Sequence, residues 1–115
     1  MPKDNVVLHR RSVQIESVPT SHGVGDKRII ANHTDVGKPI TQIARTLLHV
    51  GEQVTMHMHP SMDEHFFFRE GECCVLIDDI VYKCVADDYL FIPAGCNHQI
   101  DVVEDTLMLT IGIEK

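Results

Sequence analysis

The chain has 115 residues, 43% of them hydrophobic and 23% charged, a composition that suits one globular domain over 1–115 and argues against a two-domain architecture or a disordered chain. Ten Lys and Arg face 17 Asp and Glu, a net charge of −7 with no basic cluster beyond Arg10-Arg11, so neither nucleic acid nor a membrane surface is expected as a partner. No apolar run approaches the roughly 18 residues that span a bilayer, and Val6-Val7-Leu8 is too short for a secretory segment, which together lead us to expect a cytoplasmic protein.

In the first 36 residues, Val6 to His9 and Ser12 to Val18 read as strands, Ser21 to Lys27 as a loop and Ile29 to Ala31 as another short strand. The next segment is ambiguous, because Ile40, Ile43, Ala44, Leu47 and Leu48 recur with a helical period. Gly37 and Pro39 precede it without a clear N-cap, and Thr41, Ile43, Thr46 and Val50 are poor helix residues, so a strand is expected. Beyond it, Gly51, Pro60, Gly71, Asp78-Asp79, Asp87-Asp88, Pro93, Gly95 and Glu104-Asp105 cut the chain into short pieces. Between them lie Phe66 to Phe68, Cys73 to Ile77, Val81 to Val85, Tyr89 to Ile92, His98 to Val103 and Thr106 to Ile113, rich in β-branched and aromatic residues. Short strands joined by tight turns predict an all-β antiparallel barrel or sandwich. Cys73, Cys74, Cys84 and Cys96 form no Cys-x-x-Cys pair and are expected as free thiols, with a zinc site on them as the lesser alternative.

Histidine, with eight copies, outnumbers the aromatics, and two of its positions carry chemistry. His57 and His59, one residue apart on a strand, project from one face while Met56 and Met58 take the other. Pro60-Ser61-Met62-Asp63 reads as a turn, after which the Glu64 carboxylate can swing back toward the two rings. Ile92-Pro93-Ala94-Gly95-Cys96-Asn97-His98 ends a strand, turns and delivers a third histidine. Three His and one Glu suit one divalent first-row metal ion, whether iron, manganese, nickel, copper or zinc. His65 points away from this face, and His9, His22, His33 and His49 belong to no motif and are expected at the surface.

These intervals resemble those of a small cupin. Its first motif is a Gly, five residues, His-x-His, three or four residues, Glu, six residues and Gly, met here by Gly51, His57, His59, Glu64 and Gly71. Its second is a Gly, five residues, Pro-x-Gly, two residues, His, three residues and Asn. Pro93, Gly95 and His98 match, while Asp87 replaces the leading Gly and Val102 the final Asn. Asp tolerates a turn nearly as Gly does, and the second departure bears on packing more than on the metal. The resemblance implies a cupin-type antiparallel β-barrel, a double-stranded β-helix or jelly roll with its core over 40–113, holding the metal inside one end through His57, His59, Glu64 and His98.

Candidates to line the pocket are Gln42, Arg45, Phe66, Phe68, Tyr89 and Cys96, of which Cys96 is more simply filler than nucleophile. The fold does not choose an activity. The first expectation is a metal-dependent enzyme on a small polar metabolite, dioxygenase-like or isomerase-like. The alternatives are a non-catalytic module that binds or senses a sugar or organic acid, and a sugar isomerase of the phosphomannose type, which would need a basic phosphate-binding group such as Arg45 or Lys83. A homodimer is expected from the family and from the sheet edges such folds leave.

Overall fold

Two long strands carry the architecture. In the computed structural model, which describes residues 8–37 and 39–115, β5 (Met62–Ile77) and β8 (His98–Glu114) pair antiparallel along almost their whole length. Each is flanked by a different strand at each end. On the far side of β8 lie β3 (Ile40–Leu48) against its C-terminal half and β4 (Gln53–His57) against its N-terminal half. On the far side of β5 lie β7 (Tyr89–Ile92) near its start and β6 (Ile80–Val85) near its end. Outside β3 come β2 (Asp26–Asn32) and the two-residue β1 (Val18–Pro19). Every pairing is antiparallel, and the fold is the all-β jelly-roll barrel expected.

The sheet folds over on itself, as one distance shows. Glu64 pairs with Gly112, fourteen positions beyond His98 on β8, a run of on the order of 45 Å if straight. Glu64 Oε1 nevertheless lies 3.3 Å from His98 Nε2. The bend falls where the β5–β8 register shifts, between Phe68 and Cys73. There the inward positions of β5 change parity, from Phe66 and Phe68 to Cys73, Val75 and Ile77, as one extra residue in a strand requires. Gly71, with φ +95°, sits in this bulge, and a Cβ there would collide with the Asp105 carbonyl oxygen. Gly71 and Glu104-Asp105 therefore bend continuous strands rather than ending them, and the pieces Phe66–Phe68 and Cys73–Ile77, like His98–Val103 and Thr106–Ile113, are halves of single strands.

Strand β3 settles the ambiguous stripe: Ala44, Thr46 and Leu48 are buried at alternate positions, the period of two of a strand. Elsewhere the inner face is apolar, with Phe66, Phe68, Val75, Ile92, Ile100, Val102 and Met108 in one cluster. The two departures from the second motif find their places here. Asp87 holds φ at +72°, the conformation usually left to glycine, and Val102 is buried among the core side chains. Asp78 and Asp79 both have positive φ and make the tight turn between β5 and β6.

The N-terminal segment departs from expectation. Ser12 to Val18 is not a strand, since Ser12–Gln14 form a 3-10 turn and only Val18 and Pro19 pair with β2. The Arg28 guanidinium donates to the carbonyl oxygens of Val13 (3.0 Å) and Ile15 (2.6 Å), groups a strand would have offered to a neighbouring strand. Leu8 and His9 have no regular structure, and Val6 and Val7 lie outside the described residues. The strand expected at Ile29–Ala31 runs longer, over Asp26–Asn32, and is followed by the single turn α1 (His33–Val36), capped by Asn32 and Asp35. Among the described residues no helix is long and apolar enough to cross a membrane.

Candidate metal centre

The imidazoles of His57, His59 and His98 and the Glu64 carboxylate converge at one end of the barrel, each offering one atom, all within 4.8 Å of one another. His57 ends β4 and pairs directly with His98, the first residue of β8. Val54 and His57 both face inward although three residues apart, because the register shifts between them. Met56 and Met58 are turned out to solvent. His59 lies in the connection to β5, and Glu64 shares the inward face of β5 with Phe66 and Phe68. The two turns that carry the groups are tied together, the Ala94 N–H donating to Asp63 Oδ1 and the Gly95 N–H to the His59 carbonyl oxygen, both at 2.8 Å.

Backbone carbonyls orient two of the rings. His57 Nδ1 lies 2.8 Å from the Thr55 carbonyl oxygen and His98 Nδ1 3.0 Å from that of Cys96. A carbonyl only accepts, so each Nδ1 carries a proton, and in the neutral ring each Nε2 keeps a lone pair for the centre. Glu64 Oε1 is 3.2 Å from His59 Nε2 and 3.3 Å from His98 Nε2. Yet Glu64 Oε1 and His98 Nε2 are buried side-chain atoms without a hydrogen-bond partner. Burial alone would raise the Glu64 carboxyl, but His98 and the other two rings outweigh it and hold the group below the ordinary carboxylate value. His98 is pulled down by burial, and Glu64 reverses this, so its value lies above that of free histidine. His57 is pushed down, chiefly by burial.

A cavity of about 120 Å³ opens from this centre into the barrel, lined by Leu48, Val54, Phe66, Ile100 and Met108 with a few polar groups. His22, one of the histidines expected simply at the surface, stands at its mouth on the turn between β1 and β2, with its ring centroid 4.1 Å from that of His57 and 6.4 Å from that of His59. The residue is largely exposed and lies outside the group of four, and the partial desolvation of its ring beside that group, with the neighbouring imidazoles, lowers its pKa. Nothing local in its sequence marks it, since the turn reaches the site only through the pairing of β2 on β3.

A family model described as a cupin domain matches residues 44–112, more than half of the chain. The chain belongs to the cupin family. This cupin is 27% identical over 99 residues to a curated relative, polyketide synthase CurC of Streptomyces cyaneus; the match covers 85% of the chain but 64% of the relative's length. Among solved structures, a predicted oxalate decarboxylase from Thermotoga maritima superposes with a TM-score of 0.83 at 21% identity, over 94% of this chain and all of the other. KdgF from a Halomonas species gives 0.81 at 14% identity, over 96% of both chains. At such identities the structural likeness establishes the shared fold.

Of the pocket candidates in this cupin, Gln42 and Phe66 line the cavity. Phe68 lies a layer deeper in the core, edge-on to Phe66. Arg45 alternates to the opposite face of β3 from Gln42 and Thr46, away from the cavity lining. Tyr89 is exposed on the outer face, where its hydroxyl lies 2.6 Å from His65 Nδ1. Cys96 is absent from the lining and serves the site through its carbonyl oxygen, which holds His98. Lys27, at which the loop expected over Ser21 to Lys27 was to end, lies instead within β2 and lines the cavity.

Proposed function

We propose that this cupin binds one divalent transition metal ion through His57, His59, Glu64 and His98, and that it is an enzyme acting on a small polar metabolite. The observation that carries the reading is the convergence of four donor atoms within 4.8 Å of one another, two of which, Glu64 Oε1 and His98 Nε2, are buried and form no well-aligned hydrogen bond although 3.3 Å apart. A buried acceptor without a partner costs about 1–3 kcal/mol, and more where a charge is involved. A cation bound among them removes that cost, and the nitrogen and oxygen donor set suits a first-row divalent ion.

When bound, such an ion would polarise a ligand oxygen as a Lewis acid or, if redox-active, provide an oxygen-activating centre. The chain supplies the rest. Thr55 and Cys96 hold the Nε2 lone pairs inward, Phe66, Leu48, Val54, Ile100 and Met108 exclude water, and His22 can carry a proton at the mouth. For the phosphomannose type of reaction, the two basic groups expected to hold a phosphate are out of place, since Arg45 faces away and Lys83 is exposed; Lys27 is the basic group that lines the cavity, whose volume of about 120 Å³ favours a ligand smaller than a sugar phosphate. Elemental analysis of protein purified without added metal, with a search for co-purified small molecules, tests the reading. About one ion per chain supports it, and protein free of transition metal even after incubation with each candidate ion refutes it. Turnover of a co-purified compound separates an enzyme from a binding module.

The same reading includes a homodimer. Phe67, Leu109, Ile111 and Ile113 form an apolar strip on the outer face of β5 and β8, continued by exposed Tyr89 and Phe91 on β7. The free thiols, two of them buried, accord with a cytoplasmic location.

A further inference from the structure

One wall of the cavity presents hydrogen-bond donors that the described residues use only in part. The half-buried Lys27 of β2 donates from Nζ to Gln42 Oε1 of β3 at 3.1 Å. Among the described residues, no carboxylate lies within ion-pair distance of this ammonium. Because Oε1 accepts from Lys27, the Gln42 amide nitrogen points its two hydrogens elsewhere, and it meets no acceptor among the described residues. The other polar pair on this wall is satisfied internally, with Thr46 Oγ1 and Thr110 Oγ1 3.1 Å apart and Thr110 donating to the Ala44 carbonyl oxygen at 3.3 Å. Lys27 and Gln42 are therefore the groups left for a ligand.

The charge balance points the same way. Among the described residues Glu64 is the single acid in the cavity lining, and His59 and His98 already face it. With a divalent ion among the four donors the cavity would carry surplus positive charge within a chain of net charge −7. A half-buried ammonium without a counter-ion is itself unfavourable, and burial lowers the Lys27 pKa accordingly. An anion brought by the ligand relieves both. Space limits its size: an enclosed apolar cavity of roughly 150 Å³ takes one benzene, so about 120 Å³ open at its mouth suits an acid of about five to seven heavy atoms.

We propose that Lys27 and Gln42 form a carboxylate subsite, and that the cavity takes a small organic acid whose one carboxylate is held there while its other oxygen-bearing end faces His57, His59, Glu64 and His98. The inference rests on the metal-centre reading for the second end of the acid and on Lys27 and Gln42 alone for the first.

Calorimetric titration with malonate and with its neutral analogue malonamide, on metal-loaded and metal-stripped protein, separates the two parts. Wild-type protein should bind malonate more tightly than malonamide in both forms. Lys27→Met should weaken malonate at least tenfold in both forms, leave malonamide binding unchanged and retain full metal content by elemental analysis. Lys27→Arg should retain most of the malonate affinity, and Gln42→Leu should lose part of it, so the proposal remains testable if Lys27→Met misfolds. Malonate binding that ignores Lys27→Met, equal binding of malonate and malonamide, or no malonate binding by wild-type protein would each overturn it. Failure of the metal reading shows separately, as protein that takes up no ion yet still binds malonate through Lys27.

Discussion

Glu64 lies among three imidazoles, its buried Oε1 at ion-pair distance from two of them. Replacing a residue that merely orients a metal ligand typically costs ten- to a hundredfold in affinity, so removing a ligand should cost roughly a hundredfold or more. Glu64→Ala and His59→Ala should therefore each lose metal, measured by competition with a chromogenic chelator, while circular dichroism shows the barrel intact. His65→Ala, on the outer face against Tyr89, should leave metal content unchanged. Protons compete with the ion at the same atoms. His98 titrates above the ordinary histidine value of 6.5, so below that folded-state value its protonated ring opposes the metal, and above it the opposition disappears. Metal affinity should rise with pH through the neutral range and level off once His98 is deprotonated; an affinity flat from pH 6 to 8 would contradict this. The four residues could be picked out from sequence because His-x-His and the following Glu lie close along the chain. His22 and Lys27 could not, because only the pairing of distant strands carries them to the site.

The bulge in β5 is the element on which the centre's geometry depends, since it folds the sheet so that Glu64 meets His98. A side chain at Gly71 would both strain a positive φ and press on the Asp105 carbonyl. Gly71→Ala should destabilise the protein by about 2 kcal/mol or more, read from the urea midpoint, and should weaken metal binding with it. Element boundaries explain which parts of the fold could be read in advance. Alternation along 40–48 overrules the helical stripe, and the same alternation separates Gln42 from Arg45 onto opposite faces. Gly71 and Glu104-Asp105 look like breaks in a linear reading, because a turn residue and a bulge residue carry the same chemical signature. The segment 12–17 has strand composition but meets a guanidinium instead of a neighbouring strand.

At the scale of the molecule, the outer apolar strip of Phe67, Leu109, Ile111 and Ile113 is the surface that a second copy would cover. Light scattering at micromolar concentration should report twice the mass of one chain, and Phe67→Glu combined with Ile111→Glu should return it to one chain without loss of metal. A wild-type mass of one chain at every concentration would refute the dimer.

Because β5 and β8 each belong to both halves of the folded sheet, opening either half along these two strands disturbs the other. Amide hydrogens from β3 to β8 should then exchange through a single global opening, with one common free energy, and only the outer β1 and β2 should open at lower cost. Hydrogen exchange followed by mass spectrometry against rising denaturant would show the isotherms of Phe66, Val75, Ile100 and Met108 merging. A ligand held at the mouth would consequently be felt as slower exchange at the opposite end of the barrel, although nothing there touches it.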